Sequence, residues 1–164
     1  MSKGKNYTVG FKRKRNKKTN YRKRLKFVAS GKIRFVVRQT TNDMSIQAVN
    51  FSGKGDEVLK TVKSSDLKKY GWEGNPGNTT SAYLAGLLFG QESKSILNEG
   101  IIDLGLRRLI KGSRISATIK GIKDSGIEIN ASESIFPTED RIKNIKKDLS
   151  SSFEEVKKKI EAIK

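Results

Sequence analysis

The 164-residue sequence contains neither cysteine nor histidine. These two absences exclude disulfide bonds, thiol catalysis, Cys/His zinc sites and imidazole acid–base chemistry. No apolar run approaches the roughly 20 residues of a membrane-spanning helix, and the basic N-terminus lacks the apolar segment of a signal peptide. We therefore predict an intracellular protein, and we predict neither a metal site nor a cofactor.

Acidic residues are also missing from the first part of the chain. Residues 1–38 contain fifteen lysines and arginines and no acid, and Asp43 is the first carboxylate. The other 126 residues contain twenty bases and seventeen acids, so most of the net charge of +18 lies in the first 38 residues. A polyanion is the natural partner for such a charge. We predict a basic arm over residues 1–30, one globular domain over 31–137 and a C-terminal helix over 138–164.

The arm combines clustered cations with aromatic rings. Residues 12–18 contain six bases and residues 22–26 contain four more, on a segment that could be helical, and Tyr7, Phe11 and Tyr21 are interleaved with them. Cations neutralise phosphates, and rings stack on unpaired bases or pack against sugars. A basic run can also be a solvated tail or a nuclear address, but such a tail has no use for three rings. The pattern favours RNA binding.

The body begins with a pattern of strands. Residues 33–37 and 44–51 read as two strands that pair as a hairpin, and residues 57–62 read as a third strand with Val58 and Val62 on one face. Glycine-bearing residues 52–56 form the second turn. These segments predict an antiparallel meander.

Helices and strands then alternate. Ser64, Ser65 and Asp66 can cap a short helix, and Asn78 or Thr79 can start a long apolar helix. Residues 101–106 read as a strand, a further helix follows Ser113, and residues 127–129 read as a short strand. The order predicts an α/β fold, with a mixed sheet that starts as an antiparallel meander and is packed with helices.

The C-terminal segment is amphipathic. From Thr138 onward, apolar residues recur at spacings of three and four, among them Ile145 and Leu149. The segment is one helix, or two helices broken near residues 150–152, where Ser152 and Glu155 could form a capping box. Packing on its own domain and docking on RNA or another protein are both open.

Several sequence blocks occur in a recognisable order along nearly the whole chain. They are the cluster at residues 12–18, TNYRKRL at 19–25, SSDLKKYGW at 64–72, GNTTSAYLAGLL at 77–88, DLGL at 103–106, GSR at 112–114, DSG at 124–126 and IFPTEDRI at 135–142. In this order they resemble large-subunit ribosomal protein L-eighteen of the archaeal and eukaryotic type. The sequence departs from that family at Asn20 (usually Asp), at Ala85 (usually Thr) and at residues 129–132, where a Pro-His pair is common.

The resemblance implies a structural protein of the large ribosomal subunit, located on the cytoplasmic ribosome, that binds 5S rRNA and attaches it to the large-subunit rRNA. Its partners would also include neighbouring ribosomal proteins of the central protuberance, and no membrane. By position, the arm would make much of the RNA contact. The candidate RNA-binding residues are Lys3, Lys5, Tyr7, Phe11, Lys12, Arg13, Lys14, Arg15, Lys17, Lys18, Asn20, Tyr21, Arg22, Lys23, Arg24, Lys26, Arg34, Arg38 and Lys54.

Alternatives remain for some of these residues and for the whole chain. Arg34 and Arg38 could instead lie on a solvated strand face, and Tyr70 and Trp72 are predicted to be core anchors. A metal-dependent nuclease could use the four carboxylates Asp43, Asp66, Asp103 and Asp124. These acids lack a compact ligand motif, and no phosphate-binding loop is present, so we predict that the protein is not an enzyme. A general basic nucleic-acid-binding protein is the other alternative.

Overall fold

The computed structural model describes residues 8–143 and 150–163. Lys3, Lys5, Tyr7, Ile145 and Leu149, which entered the sequence predictions, lie outside the described residues. The elements in chain order are helices α1 (Lys12–Arg15) and α2 (Tyr21–Ala29), strands β1 (Arg34–Gln39), β2 (Met44–Phe51) and β3 (Asp56–Lys63), a 3-10 helix (Ser64–Tyr70), α3 (Thr79–Ser93), β4 (Glu99–Asp103), α4 (Arg114–Asp124), β5 (Glu128–Ile129), a short 3-10 turn (Glu133–Ile135), α5 (Glu139–Lys143) and α6 (Ser150–Glu161).

The described strands form one mixed sheet in the order β3-β2-β1-β4-β5. Strands β1, β2 and β3 form the antiparallel meander, with Phe35 opposite Ala48 and Ile46 opposite Val62. Strand β4 pairs with β1 in parallel, after the α3 crossover, and β5 pairs with β4 in parallel, after α4. The predicted α/β fold with a mixed sheet is confirmed.

A bulge between β2 and β3 changes which side chains in the first half of β3 face the core. Ala48 pairs with Lys60 and Val49 pairs with Val58, so one residue of β3 is extra at this point. Val62 is buried in the core, whereas Val58 is 51% exposed. The prediction that Val58 and Val62 share one face was therefore wrong, because a bulge shifts the alternation of side chains by one residue.

The main core lies between the sheet and helices α3 and α4. Phe35 and Val37 of β1 point into it, and the Phe35 and Phe89 rings pack in a T-shaped arrangement at a centroid distance of 5.5 Å. The two helices start at the predicted caps, since Asn78 accepts from the Ser81 amide and Ser113 accepts from the Ser116 amide. The residues of β1 between the core positions, including Arg34 and Arg38, face the other side of the sheet.

Two sequence predictions about element boundaries were wrong. The strand predicted at residues 101–106 runs from Glu99 to Asp103, because the Asp103 carboxylate accepts from the amide of Gly105, whose φ of 64° turns the chain. Ser152 is not a helix cap, because it lies inside α6, where its hydroxyl is 3.4 Å from the Gly71 carbonyl.

The described part of the C-terminal segment packs on its own domain. Phe153, Val156 and Ile160 of α6 are buried, and the Phe153 ring lies 6.4 Å from that of Tyr83 in α3. Thr80 of α3 donates to the carbonyl of Ile142 in α5. These contacts settle where the apolar stripe of α6 lies. Among the described residues, none of the helices has the length and apolar character to cross a membrane.

Candidate nucleic-acid interface

The basic cluster at residues 12–18 forms a short helix and a tight turn. Helix α1 consists of four exposed basic residues and is followed by Lys17 in the left-handed region, with φ 52°. The turn is closed by the Lys18 amide donating to the carbonyl of Arg13, whose side-chain Nε donates to the Thr19 hydroxyl at 2.8 Å. The cluster is therefore a folded segment that presents its cations to solvent.

The second half of the arm is the helix α2. Asn20 caps it, because its side-chain oxygen accepts from the Lys23 backbone amide at 3.2 Å, and Asn is as favourable as Asp at such a position. Phe11 packs against Tyr21 at a centroid distance of 5.1 Å, which joins the start of α1 to the start of α2. Phe11 is still 71% exposed, so one face of this aromatic pair is open to a ligand.

Helix α2 lies over the face of the sheet opposite the main core. Arg24 forms an ion pair with Asp56 of β3 at 2.7 Å, and Phe27 is half-buried towards the body. Between the arm, the sheet and the loop after β4 is a cavity of about 290 Å³. Its lining includes seven basic residues and one carboxylate, Asp103; the basic residues are Arg13, Lys18, Lys23, Arg24, Arg34, Arg38 and Arg107. Such a concentration of cations suits a phosphate backbone.

The loop over residues 104–112 forms the other wall of this basic region. A second cleft, of about 630 Å³, has Lys23, Lys26 and Phe27 of α2 on one side and residues 102–109 on the other. The loop exposes Arg107, Arg108 and Lys111 together with apolar side chains, of which Leu106 is 53% and Ile110 is 65% exposed. Exposed apolar side chains beside cations can pack against bases and sugars while the cations bind phosphates.

The sequence predictions missed this loop. They treated the body as nearly neutral, because its twenty bases and seventeen acids almost balance. A local signal was present, since residues 104–123 contain six bases and no acid. Counting charge in windows along the body would have singled out this second acid-free segment.

The predicted residues outside the arm have different surroundings. Arg34 is only 4% exposed and is paired with Asp56 at 2.6 Å and with Asp103 at 3.6 Å, so the alternative of a solvated strand face was wrong for it. A direct phosphate contact by Arg34 would require these pairs to break. Arg38 is 45% exposed, and its guanidinium donates to the Asp103 carbonyl at 2.6 Å. Lys54 is exposed in the turn between β2 and β3.

The remaining arm candidates are accessible. Tyr21 and Arg24 are half-buried, and the others within the described residues are exposed: Phe11, Lys12, Arg13, Lys14, Arg15, Lys17, Lys18, Asn20, Arg22, Lys23 and Lys26. The structure brings five of the predicted arm residues to the cavity that Arg38 also lines: Arg13, Lys18, Asn20, Lys23 and Arg24. It does not bring Lys54 into either cavity.

The four aspartates of the nuclease alternative have separate structural partners. Asp43 accepts from the Met44 and Ser65 amides, Asp66 accepts from the Lys63 amide, Asp103 accepts from the Gly105 amide, and Asp124 accepts from the Tyr83 hydroxyl. Within residues 8–143 and 150–163, no group of three or more possible metal-ligating side chains is found. The geometry gives these carboxylates roles in turns, in a helix cap, in ion pairs and, for Asp124, in a hydrogen bond from Tyr83.

The pKa values of Tyr83 and of Asp66, one of the four aspartates, are shifted for structural reasons. Burial raises the pKa of the Tyr83 hydroxyl well above its usual range, and the neighbouring Asp124 carboxylate raises it further. Burial also raises the pKa of Asp66, but the Lys63 amide and the Lys69 ammonium outweigh that effect, so the pKa lies below its ordinary value. A tyrosine that stays protonated and a carboxylate that stays charged are consistent with packing and capping roles.

Comparison with known proteins finds a family of ribosomal proteins and several similar relatives. The sequence matches the model of a family described as ribosomal large subunit proteins 60S L5, and 50S L18, over residues 5–100. Large ribosomal subunit protein uL18 of Methanosphaera stadtmanae is 46% identical over 147 residues, covering 87% of this chain and 75% of the relative. The uL18 proteins of Methanococcoides burtonii (42% identical, covering 87% and 83%) and Methanothrix thermoacetophila (39% identical, covering 98% and 99%) are also similar.

Proposed function

The chain belongs to the family of ribosomal large subunit proteins 60S L5 and 50S L18, and from this membership we propose that it binds 5S rRNA through its basic arm. As a family member it is a structural constituent of the large ribosomal subunit, has rRNA and ribosomal proteins as partners, and is not an enzyme. The finer proposal is that it attaches 5S rRNA to the large-subunit rRNA in the central protuberance, beside neighbouring ribosomal proteins.

The observation that carries the proposal is the cavity between the arm and the sheet, whose lining includes Arg13, Lys18, Lys23, Arg38 and Arg107 in addition to Arg24 and Arg34, which are paired with Asp56. Lys and Arg side chains at this density release counterions when they neutralise phosphates, which supplies a large part of the affinity for RNA. The aromatic pair of Phe11 and Tyr21 and the exposed apolar side chains of the loop after β4 add surfaces for bases and sugars. In this proposal residues 1–30 are the RNA-binding arm, residues 31–137 the domain that supports it, and residues 138–164 a C-terminal helical segment.

The proposal is tested by neutralising three arm lysines together, with Lys12→Gln, Lys18→Gln and Lys23→Gln. Each lost phosphate contact lowers the slope of log affinity against log salt by about 0.7–0.9, so we expect the slope to fall by about 2 to 3 and the affinity for 5S rRNA to fall about 10- to 100-fold. Gel-shift titration at several salt concentrations measures both quantities.

A matched control removes three exposed lysines that line neither cavity, with Lys63→Gln, Lys68→Gln and Lys158→Gln. This control loses the same net charge, so a similar loss of affinity in both variants would contradict an arm-specific contact. Titrating the unchanged protein with 5S rRNA, random RNA and duplex DNA at one salt concentration tests the choice of ligand. Equal affinities for all three would instead favour a general nucleic-acid-binding protein.

A further inference from the structure

An alternating chain of charged side chains connects the arm to the sheet. Arg24 of α2 pairs with one oxygen of Asp56 at 2.7 Å, and Arg34 of β1 pairs with the other oxygen at 2.6 Å. Arg34 also approaches Asp103 at 3.6 Å, and Asp103 approaches Arg38 at 3.5 Å. Three arginines and two aspartates from four elements therefore form one network beneath the basic cavity.

Asp56 is the member that joins the arm to the body. None of the nine residues of α2 is fully buried, so apolar packing alone holds this helix weakly against the sheet. The Asp56 side chain is 29% exposed and the Arg34 side chain only 4%, so the pair between them is shielded from solvent more than an ordinary surface ion pair. Arg34 thereby fixes the Asp56 carboxylate, and the carboxylate in turn fixes Arg24.

We propose that Asp56 is a positioning residue for RNA binding: it holds α2 over the sheet, so that the arm and the body present one continuous cationic surface. This inference rests on the proposed function, because it concerns how the arm is placed for the same ligand. Asp103 supports the arrangement from the other side, where it holds Arg38 and the start of the loop after β4.

The proposal predicts a change in RNA affinity that is opposite to the change expected from charge alone. An acidic side chain beside an anion-binding surface repels the ligand, so Coulomb's law alone predicts that Asp56→Asn tightens RNA binding. If Asp56 positions the arm, the same substitution releases Arg24 and α2, and binding weakens. The pair between Arg24 and Asp56 is partly exposed, with side-chain exposures of 43% and 29%, so we expect Asp56→Asn to weaken binding of 5S rRNA about two- to fivefold.

Two further variants isolate the positioning effect. Asp56→Glu keeps the carboxylate and should restore most of the affinity. Glu57→Gln removes one negative charge from the next, exposed residue of the same strand, and it should leave the affinity unchanged or slightly raised. Binding by Asp56→Asn as tight as that by Glu57→Gln would overturn the proposal.

Hydrogen exchange in the RNA-free protein measures how firmly α2 is held against the sheet when no ligand is present. We expect the amides of residues 21–29 to exchange at least about fivefold faster in Asp56→Asn than in Glu57→Gln. Arg24→Gln is a second variant that removes the ion pair between α2 and Asp56. It leaves the buried Arg34 paired with Asp56, so the sheet should fold normally. Unchanged exchange of α2 in Arg24→Gln would overturn the proposal.

The outcomes distinguish this inference from the proposed function. If neutralising Lys12, Lys18 and Lys23 leaves the affinity for 5S rRNA unchanged, the proposed function fails, while the exchange rates of α2 still report whether Asp56 tethers the helix. If the arm variant loses affinity but Asp56→Asn does not, the arm binds RNA and only the positioning role is overturned.

Discussion

At the scale of single residues, Trp72 joins the 3-10 helix to α3. It is 2% exposed, and its indole N–H donates at 2.7 Å to the hydroxyl of Ser81, which donates to the Asn75 carbonyl at 2.7 Å. We expect Trp72→Phe to lower the free energy of unfolding by about 1–3 kcal/mol, because it leaves a cavity and a buried hydroxyl without its donor. Urea unfolding measures this change.

Tyr70→Phe serves as the control for Trp72. The Tyr70 ring is half-buried, and its hydroxyl donates to Glu92 at 3.2 Å, close to solvent. Its loss should lower the free energy of unfolding by less than about 1 kcal/mol. Equal losses in the two variants would contradict the central role given to Trp72.

Trp72 and Arg34 show what a sequence can predict about one residue. Trp72 was predicted correctly as a core anchor, because its large amphipathic ring packs well at the edge of a domain. Arg34 alternates with the core residue Phe35, so the local pattern correctly put it on the other face of the sheet, where a charged residue is normally solvated. Its burial depends on Asp56 and Asp103, which are distant along the chain, and the local pattern contains no information about them.

At the scale of elements, α3 and α4 cross with their backbones in contact. A Cβ atom on Gly86 would collide with the Thr118 carbonyl oxygen, and one on Gly121 would collide with the Tyr83 carbonyl oxygen. Alanine favours a helix by about 1 kcal/mol over glycine, but overpacking against a backbone costs about 1–3 kcal/mol and is harder to relax than contact with a flexible side chain. We expect Gly86→Ala to be destabilising on balance, by about 1–2 kcal/mol in thermal or urea unfolding.

Gly55→Ala is the matched control for this crossing. An added Cβ there meets nothing within 4 Å, and the residue lies in the turn before β3. Its effect should stay within about 0.5 kcal/mol. A Gly86→Ala variant as stable as the unchanged protein would show that α3 and α4 can move slightly apart without loss of stability.

The elements themselves were predictable to different degrees. Helices α3 and α4 were placed correctly because Asn78 and Ser113 are strong caps before apolar runs. The errors at Val58 and at the end of β4 have another origin. A bulge depends on how two strands pair, and the turn at Gly105 depends on the carboxylate of Asp103 reaching its amide. Neither feature is a property of local hydrophobic periodicity.

At the scale of the whole molecule, the basic arm could be predicted from the sequence, whereas the cleft between α2 and the loop after β4 could not. Charge counting found the arm because no acid precedes Asp43. The cleft requires the loop over residues 104–112 to face α2, and that arrangement follows from the parallel pairing of β4 with β1 and from the ion pair between Arg24 and Asp56. The surface that we propose for RNA is therefore a product of topology, built from two acid-free segments that are far apart in the sequence.

If the cleft acts as one surface, the loop must contribute to binding together with the arm. We expect Arg107→Ala with Arg108→Ala to weaken binding of 5S rRNA and to lower the salt slope by about 1.4–1.8, since two phosphate contacts are lost. Lys120→Ala with Lys123→Ala removes two bases from the same acid-free segment but on α4, outside the second cleft, and should change the slope less. Gel shifts over a range of salt concentrations measure both pairs.

The decisive comparison combines the loop variant with Lys23→Gln, because Lys23 and Arg107 line both cavities. Groups that bind one ligand segment through a shared geometry give effects that are not additive, with interaction energies of about 0.5–3 kcal/mol, whereas distant independent contacts add. We therefore expect the triple variant to lose measurably less affinity than the sum of its parts, because once one wall of the cleft is weakened the RNA no longer engages the other fully. Strict additivity would mean that the arm and the loop bind separate segments of RNA, and the single cleft would have to be abandoned.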